Sequence, residues 1–447
     1  MIRQITAALL AAALTVQLPS CAFSASVETM LSPPRMTPEQ ESIYQALLAA
    51  VGSSVSLKYP KSGERLSAFT VDDLDGDGAD EAIVFYESSR TATEENPLRV
   101  GLLAQEDGAW RAMAEYPTAG AEVERVDIEQ LGTNPRKNLI IRYSMVDGAN
   151  RTAEVLHYDD KALARTLSVS YSRMTVRDLN EDGTSELFVI TGATPDAAGS
   201  ATVYALDEAG SYIQSPAALP EGITEITGIG YGELPRATGS GMLPAIYVDG
   251  ASGATTAQTV VLSYQDEMLS VVYADSPDRF PNTNRPTGLL TADLDGDGEQ
   301  EIPVQIAFYG YANAADGSPL SMTNWYVCRG GVLMREASSY YAVQDGYAFV
   351  MPERWERRVT AVPEDSEIVF YEYDTDTQQE DGSPVLLAPL LRLTTVTDRV
   401  EADTLTENGY LLLQKRGGNY QLAKIETGGS ASLTLTRSEL LFAMKYL

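Results

Sequence analysis

Three nine-residue loops of one design constrain this chain more than any other feature. They are Asp73-Leu74-Asp75-Gly76-Asp77-Gly78-Ala79-Asp80-Glu81, Asp178-Leu179-Asn180-Glu181-Asp182-Gly183-Thr184-Ser185-Glu186 and Asp293-Leu294-Asp295-Gly296-Asp297-Gly298-Glu299-Gln300-Glu301. Each puts oxygen-bearing side chains at positions 1, 3, 5 and 9 and glycine at position 6. A hard cation such as Ca²⁺ takes six to eight oxygens at about 2.3–2.6 Å, which alternating side chains and a position-7 carbonyl can supply. Glycine at position 6 permits the sharp turn that folds both halves around an ion. Three copies point to calcium, although Asp-Gly turns of this composition also form without metal.

An EF-hand begins in the same way but needs a bidentate Glu at position 12 and a helix on each side. Position 12 is Val84, Val189 and Val304 here. The flanks alternate at period two, as in Ser67-Ala68-Phe69-Thr70-Val71 before the first loop and Ala82-Ile83-Val84-Phe85-Tyr86 after it. Met174-Thr175-Val176 with Leu187-Phe188-Val189-Ile190, and Leu289-Leu290-Thr291 with Ile302-Pro303-Val304-Gln305-Ile306, repeat the arrangement. Such alternation reads as strands, so the loops join strands and not helices.

These strand–loop–strand units resemble the FG-GAP/VCBS-type repeats of β-propellers, including the calcium loops of integrin α-subunit propellers. The resemblance covers roughly residues 66–345 and rests on the loops, since no FG or GAP segment is found. It implies Ca²⁺ held by Asp73, Asp75, Asp77 and Glu81, by Asp178, Asn180, Asp182 and Glu186, and by Asp293, Asp295, Asp297 and Glu301. The carbonyls of Ala79, Thr184 and Glu299 would complete each set. The second loop has one carboxylate fewer at these positions.

The loops start at 73, 178 and 293, gaps of 105 and 115 residues, about twice a four-stranded repeat. Metal-less copies are expected between them, near Val126–Asn134 and near Ile229–Glu233. Four strands fall between 82 and 127, at Ala82–Tyr86, Leu98–Ala104, Trp110–Tyr116 and Glu122–Ile128. The last interval shows three, and Leu66–Val71 is free to supply the fourth and close a ring. The expectation is a mainly β chain: a propeller of about five blades over 55–345, followed by a smaller α+β domain over 346–447. An irregular β-sandwich is the alternative. A short helix precedes the ring from the capping box Thr37-Pro38-Glu39-Gln40, and another starts at Thr436-Arg437-Ser438-Glu439 and runs to Leu447.

Residues 1–21 read as an export signal, with Arg3, an apolar run from Ile5 to Val16, and Leu18-Pro19-Ser20-Cys21, which resembles a bacterial lipobox. Cys21 would then be the lipidated first residue and the only link to a membrane, with 22–54 forming a linker and the short helix. Cleavage after Ala22 or Ala25, giving a freely secreted protein, is the alternative. The other cysteine, Cys328, leaves the mature chain without an intramolecular disulfide. The formal charge of −31, from 63 acidic and 32 basic residues, argues against nucleic acid as a partner.

His157 is the single histidine, and neither a Gly-x-Ser-x-Gly elbow nor an HExxH helix is present. Catalysis is therefore the minority reading. Tyrosine is abundant, 24 residues against 9 Phe and 3 Trp, and Phe308, Tyr309, Tyr311, Trp325, Tyr340, Tyr341, Phe370, Tyr371 and Tyr373 gather late in the chain. Such rings can stack on sugars or anchor proteins, or simply pack the core. The expected function is a calcium-binding surface module for a protein or glycan ligand. The alternatives are an extracellular polysaccharide hydrolase or lyase, and an envelope accessory protein.

Overall fold

Apolar runs buried on both faces determine the architecture. Glu81–Ser88, Asn138–Ser144 and Glu186–Thr191 are almost wholly buried, whereas Ala162–Ser170 is mostly exposed. A strand reads as continuously apolar only where another layer covers each face of its sheet. The computed structural model describes residues 36–447 except 53, 95, 135, 145–150, 160, 237–240 and 279. The expected export signal, Cys21 and the linker up to residue 35 lie outside the described residues.

Among the described residues six sheets follow one another along the chain, and none closes on itself. The first holds Val55–Leu57, Phe69–Asp72, Glu81–Ser88, Leu98–Glu106 and Ala109–Pro117. The second is Glu122–Glu129, Asn138–Ser144, Arg151–Asp159 and Ala162–Ser170, and the third Arg173–Arg177, Glu186–Thr191, Ser200–Leu206 and Tyr212–Ala218. The fourth is Glu225–Pro235, Met242–Ser252, Thr256–Gln265 and Met268–Tyr273, with Arg285–Pro286 added beside Thr256–Gln265. Ile302–Ala307, Ser321–Arg329, Val332–Ala342, Tyr347–Val350 and the C-terminal Met444–Tyr446 make the fifth. The sixth contains Val359–Glu364, Glu367–Gln378, Pro384–Val396, Asn419–Ile425 and Leu411–Arg416, in that spatial order.

Each sheet packs on the next, and the period-two alternation of strand side chains divides every strand between two cores. Leu139 and Ile141 join Ile83, Phe85 and Val100 between the first and second sheets. Ile140, between them in sequence, points the other way and meets Leu187 and Val189 of the third. Phe188 and Ile190 meet Ile246 and Val248 of the fourth, whose Tyr247 and Val261 meet Ile302 and Cys328 of the fifth. Phe308, Met322 and Phe349 join the fifth sheet to Phe370 and Leu390 of the sixth.

The helix Pro38–Val51 covers the remaining face of the first sheet. Thr37 and Gln40 form the expected capping box, and Ile43 and Leu47 pack on Ala82, Val84 and Leu103. A Cβ on Gly101 would lie 3.1 Å from Leu47 Cδ1, which shows how closely the helix approaches the sheet.

This packing overturns the expected closure by Leu66–Val71. Phe69–Asp72 pairs with Glu81–Ser88 of its own sheet, matching Phe69 to Val84 and Asp72 to Glu81. Tyr347–Val350 and Met444–Tyr446 supply the outer strands of the fifth sheet instead. Among the described residues, no hydrophobic cluster joins the first sheet to the fifth or sixth. The face a closing sheet would need is occupied by the helix.

The boundary expected at 345/346 falls within the fifth sheet, between Val332–Ala342 and Tyr347–Val350. The last helix is shorter than expected, Arg437–Ala443, because Met444–Tyr446 leaves it to hydrogen-bond the edge formed by Tyr347–Val350. Leu289–Thr291 forms no strand, and only the isolated bridge Ala292–Glu301 precedes the strand Ile302–Ala307. The late aromatics are largely core: Phe308, Trp325 and Phe370 are fully buried, and Phe370 lies 5.2–6.3 Å from the rings of Phe349, Trp355, Tyr340 and Phe308.

Candidate metal centres

All three loops fold into self-bonded cages, and the first and third share one pattern, whereas in the second Asp178 Oδ1 accepts from Asp182 N at 3.2 Å. In the first, Asp73 accepts from the N–H groups of Gly76 (2.7 Å) and Gly78 (3.0 Å). Asp75 Oδ1 accepts from Asp77 N at 3.1 Å, and Asp77 Oδ1 from Ala79 N at 2.7 Å. The third loop repeats this, with Asp293 bonded to Gly296 and Gly298, Asp295 to Asp297, and Asp297 to Glu299. The position-1 aspartates accept through both oxygens from N–H groups three and five residues ahead, and those at positions 3 and 5 accept through Oδ1 from the N–H two residues ahead.

The position-9 glutamates return from the following strand. Glu81 Oε2 accepts from Leu74 N at 2.9 Å, Glu186 Oε2 from Leu179 N at 2.8 Å and Glu301 Oε2 from Leu294 N at 2.5 Å. All three are buried, at 4, 2 and 1 % exposure. Burial raises their pKa values, to about 7 for Glu81 and Glu186 and about 8 for Glu301, while the leucine N–H bond opposes the shift and the loop aspartates add to it. Buried carboxylates are normally paired or bound to metal. Glu301 Oε1 is buried and has no hydrogen-bond partner among the described residues. A cation is the group such a donor set fits.

Two of the loops bring three carboxylates within ligating reach of one another. Oxygens of Asp73, Asp75 and Glu81 lie within 4.8 Å, as do those of Asp293, Asp295 and Asp297, so both clusters could hold a metal ion. The second loop forms no such group among the described residues. There Asn180 Nδ2 donates to Asp182 Oδ2 at 2.9 Å, and Thr184 Oγ1 to Asp182 Oδ1 at 2.6 Å. Position 4 also differs. Gly76 and Gly296 adopt φ of 80° and 86°, and Glu181 is forced into the same left-handed region at 62°.

Contacts with the intervening sheets bind the loops into one row. Lys137 N donates to Leu74 O at 3.0 Å, Leu131 bridges Ser185, and Glu233 N donates to Gly298 O at 3.1 Å. The metal-less copies expected near Val126–Asn134 and Ile229–Glu233 are these connectors. Asp72, next to the first loop, is held by Arg65 and Lys137. The Glu299 side chain turns away from the third cage to Arg329, at 3.1 Å.

A buried network that sequence reasoning missed anchors the third loop. Asp249, on Met242–Ser252, pairs with Arg285 at 2.6 Å and accepts from Thr259 Oγ1, Thr291 Oγ1 and Thr291 N. Thr291 stands two residues before the loop, where the other two loops have a strand. The available signal was a lone aspartate inside the apolar run Ala245–Ala251.

Comparison with known proteins leaves the chain without a family. No protein-family model matches it, and no curated protein sequence does. Similar solved structures include the rhamnogalacturonan lyase YesW, at 10 % identity and TM-score 0.30 over 76 % of this chain and 72 % of that one. A Bacillus licheniformis rhamnogalacturonan lyase matches at 9 % and 0.29 over 86 % and 93 %, and a hypothetical selenium-binding protein from Sulfolobus tokodaii at 10 % and 0.26 over 47 % and 54 %. These likenesses are too distant to carry a function across.

Proposed function

We propose that this chain is a calcium-loaded β-sheet module, exported and either lipid-anchored through Cys21 or secreted, that binds a protein or glycan ligand without catalysis. The observation that carries the calcium reading is Glu301, whose buried Oε1 lacks a partner among the described residues and whose charge is opposed by nearby Asp295 and Asp293. Oxygen-only donors on a tight loop favour Ca²⁺ over softer metals. The sheets between 55 and 350 are read as propeller-type blades, supported by their sequential packing and strand order. A binding role is favoured over catalysis because Cys328 is fully buried and His157 bonds no carboxylate among the described residues.

The test is a thermal melt of the protein with Ca²⁺, with Mg²⁺ and with chelator, repeated for Asp75→Ala and Asp295→Ala. A calcium-specific rise that shrinks in each variant is expected, since an ion bound only by the folded state stabilises it by mass action. Identical melts in all three conditions would sink the calcium reading.

A further inference from the structure

One cavity has no acidic residue among the described residues of its wall. A cavity of about 290 Å³ includes Glu336, Glu353 and Glu356 in its wall, one of 240 Å³ has Asp178, Glu181 and Glu233, and one of 400 Å³ has Asp374 and Asp376. The cavity of about 270 Å³ between the second and third sheets contains Arg136 and His157 in its wall and, among the described residues, no carboxylate. In a chain of formal charge −31 such a wall stands out, although Arg136 is itself paired with Asp159.

The pocket occupies the place of the second sheet's metal-less loop. Asn138 and His157 face each other across neighbouring strands, and Asn138 is 5 % exposed. Among the described residues neither side chain makes a hydrogen bond, so an amide and an imidazole are left to face the cavity. Tyr212 closes the third-sheet side; its hydroxyl lies 3.3 Å from Thr166 Oγ1, which donates to Val155 O at 3.1 Å. The Tyr204 ring packs edge-on to Tyr212 at 6.4 Å and fixes it further. Among the described residues Arg136 pairs with Asp159 alone, at 3.0 Å, and both are solvent-exposed. Exposed pairs are worth little, so the guanidinium can be recruited by a ligand.

We propose that this pocket binds one residue of a carboxylate-bearing sugar, a uronic acid. The inference rests on the glycan-binding reading above and names its ligand class. Arg136 takes the carboxylate, for which a planar guanidinium offers paired donors. Asn138, His157 and Thr166 meet hydroxyls, and Tyr212 supplies an apolar wall with a polar tip. The volume lies just below the ~300–1,000 Å³ typical of drug-sized ligands, which suits a single sugar ring.

The test is calorimetric titration of the full-length protein, in calcium, with sodium D-galacturonate and with D-galactose, on wild type, Arg136→Gln and His157→Gln. Unchanged melting temperatures would show that the variants remain folded. The expected result is saturable galacturonate binding that is about tenfold weaker in Arg136→Gln, weaker in His157→Gln, and about tenfold weaker for galactose. Absence of saturable galacturonate binding by wild type, or equal binding by Arg136→Gln, overturns the proposal. Retention on polygalacturonate separates the two sources: loss of retention in Arg136→Gln assigns the glycan, and monomer binding without retention assigns free sugar acids. Retention equal in all three proteins would overturn the pocket and leave the glycan-binding module intact. The calcium melt tests the metal reading separately.

Discussion

Glu301 Oε2 accepts a 2.5 Å hydrogen bond from Leu294 N, tying the end of the third loop to its beginning, while Glu301 Oε1 stays buried and unpartnered among the described residues. Glu301→Gln therefore separates two roles. The amide keeps an oxygen for Leu294 and needs no proton, whereas Glu301, with a folded pKa of about 8, must take one up to stay buried at pH 7. In chelator at pH 7 the variant should be more stable than wild type, by up to about 3 kcal/mol if the whole cost of that proton uptake is relieved. In calcium it should be less stable, because a ligand charge is lost. Opposite signs in paired melts are expected; the same sign in both would remove the metal role from Glu301.

The metal-free protein should lose stability as pH rises. The folded pKa values of Glu81, Glu186 and Glu301, about 7, 7 and 8, stand above the ordinary value of 4.5. A group whose folded pKa is raised binds its proton more tightly when folded. Its stabilising contribution is full below 4.5 and disappears as pH climbs through 7–8. Melting in chelator should thus be highest near pH 5 and fall toward pH 8.5. Calcium should reverse the trend, because the ion needs the carboxylates ionised. A flat profile in chelator would contradict the burial of these three side chains.

Much of the fold was legible because period-two alternation specifies strands wherever a sheet face is buried. Leu98–Ala104, Trp110–Tyr116 and Val332–Tyr340 lie within observed strands, and the Thr37 capping box starts the first helix as expected. Sheet membership was less legible. The pattern of Phe69–Asp72 does not distinguish the first sheet from the fifth; it pairs with Glu81–Ser88, and Phe69 shares a core with Ile43 and Leu47 of the helix. The loop cages were readable as spacing. The dependence of the third on Asp249 was not, because Asp249 and Thr291 are 42 residues apart and meet only in three dimensions.

The second loop should be the weakest of the three and open to repair. Asn180 replaces a carboxylate, and its Nδ2 donates to Asp182 Oδ2. Glu181 sits at φ 62°, where its neighbours have glycine. Asn180→Asp should tighten calcium at this loop by about tenfold through added ligand charge. Glu181→Gly should relieve roughly 1 kcal/mol of left-handed backbone strain. Calcium titration of wild type should resolve two tighter sites and one weaker, and the double variant should bring the third toward the others. Three equal sites in wild type would refute the ranking.

Asp249 should matter more to the third loop than its distance along the chain suggests. Its carboxylate pairs with the 3 %-exposed Arg285 and holds both the N–H and hydroxyl of Thr291, which leads into the loop. Asp249→Asn leaves a buried guanidinium without its counter-charge, a change that typically costs about 3–5 kcal/mol. The variant should melt several degrees lower even in calcium, and its affinity at the third loop should fall while the first, set by contacts of its own sheet and Lys137, keeps its value. Replacing both members, as Asp249→Leu with Arg285→Met, removes the orphaned charge and should recover part of the melting temperature. It should not recover third-loop affinity, since no acceptor is left for Thr291. If the double variant regains both together, the network serves only the stability of the fourth sheet, and the link between Asp249 and the metal loop is broken.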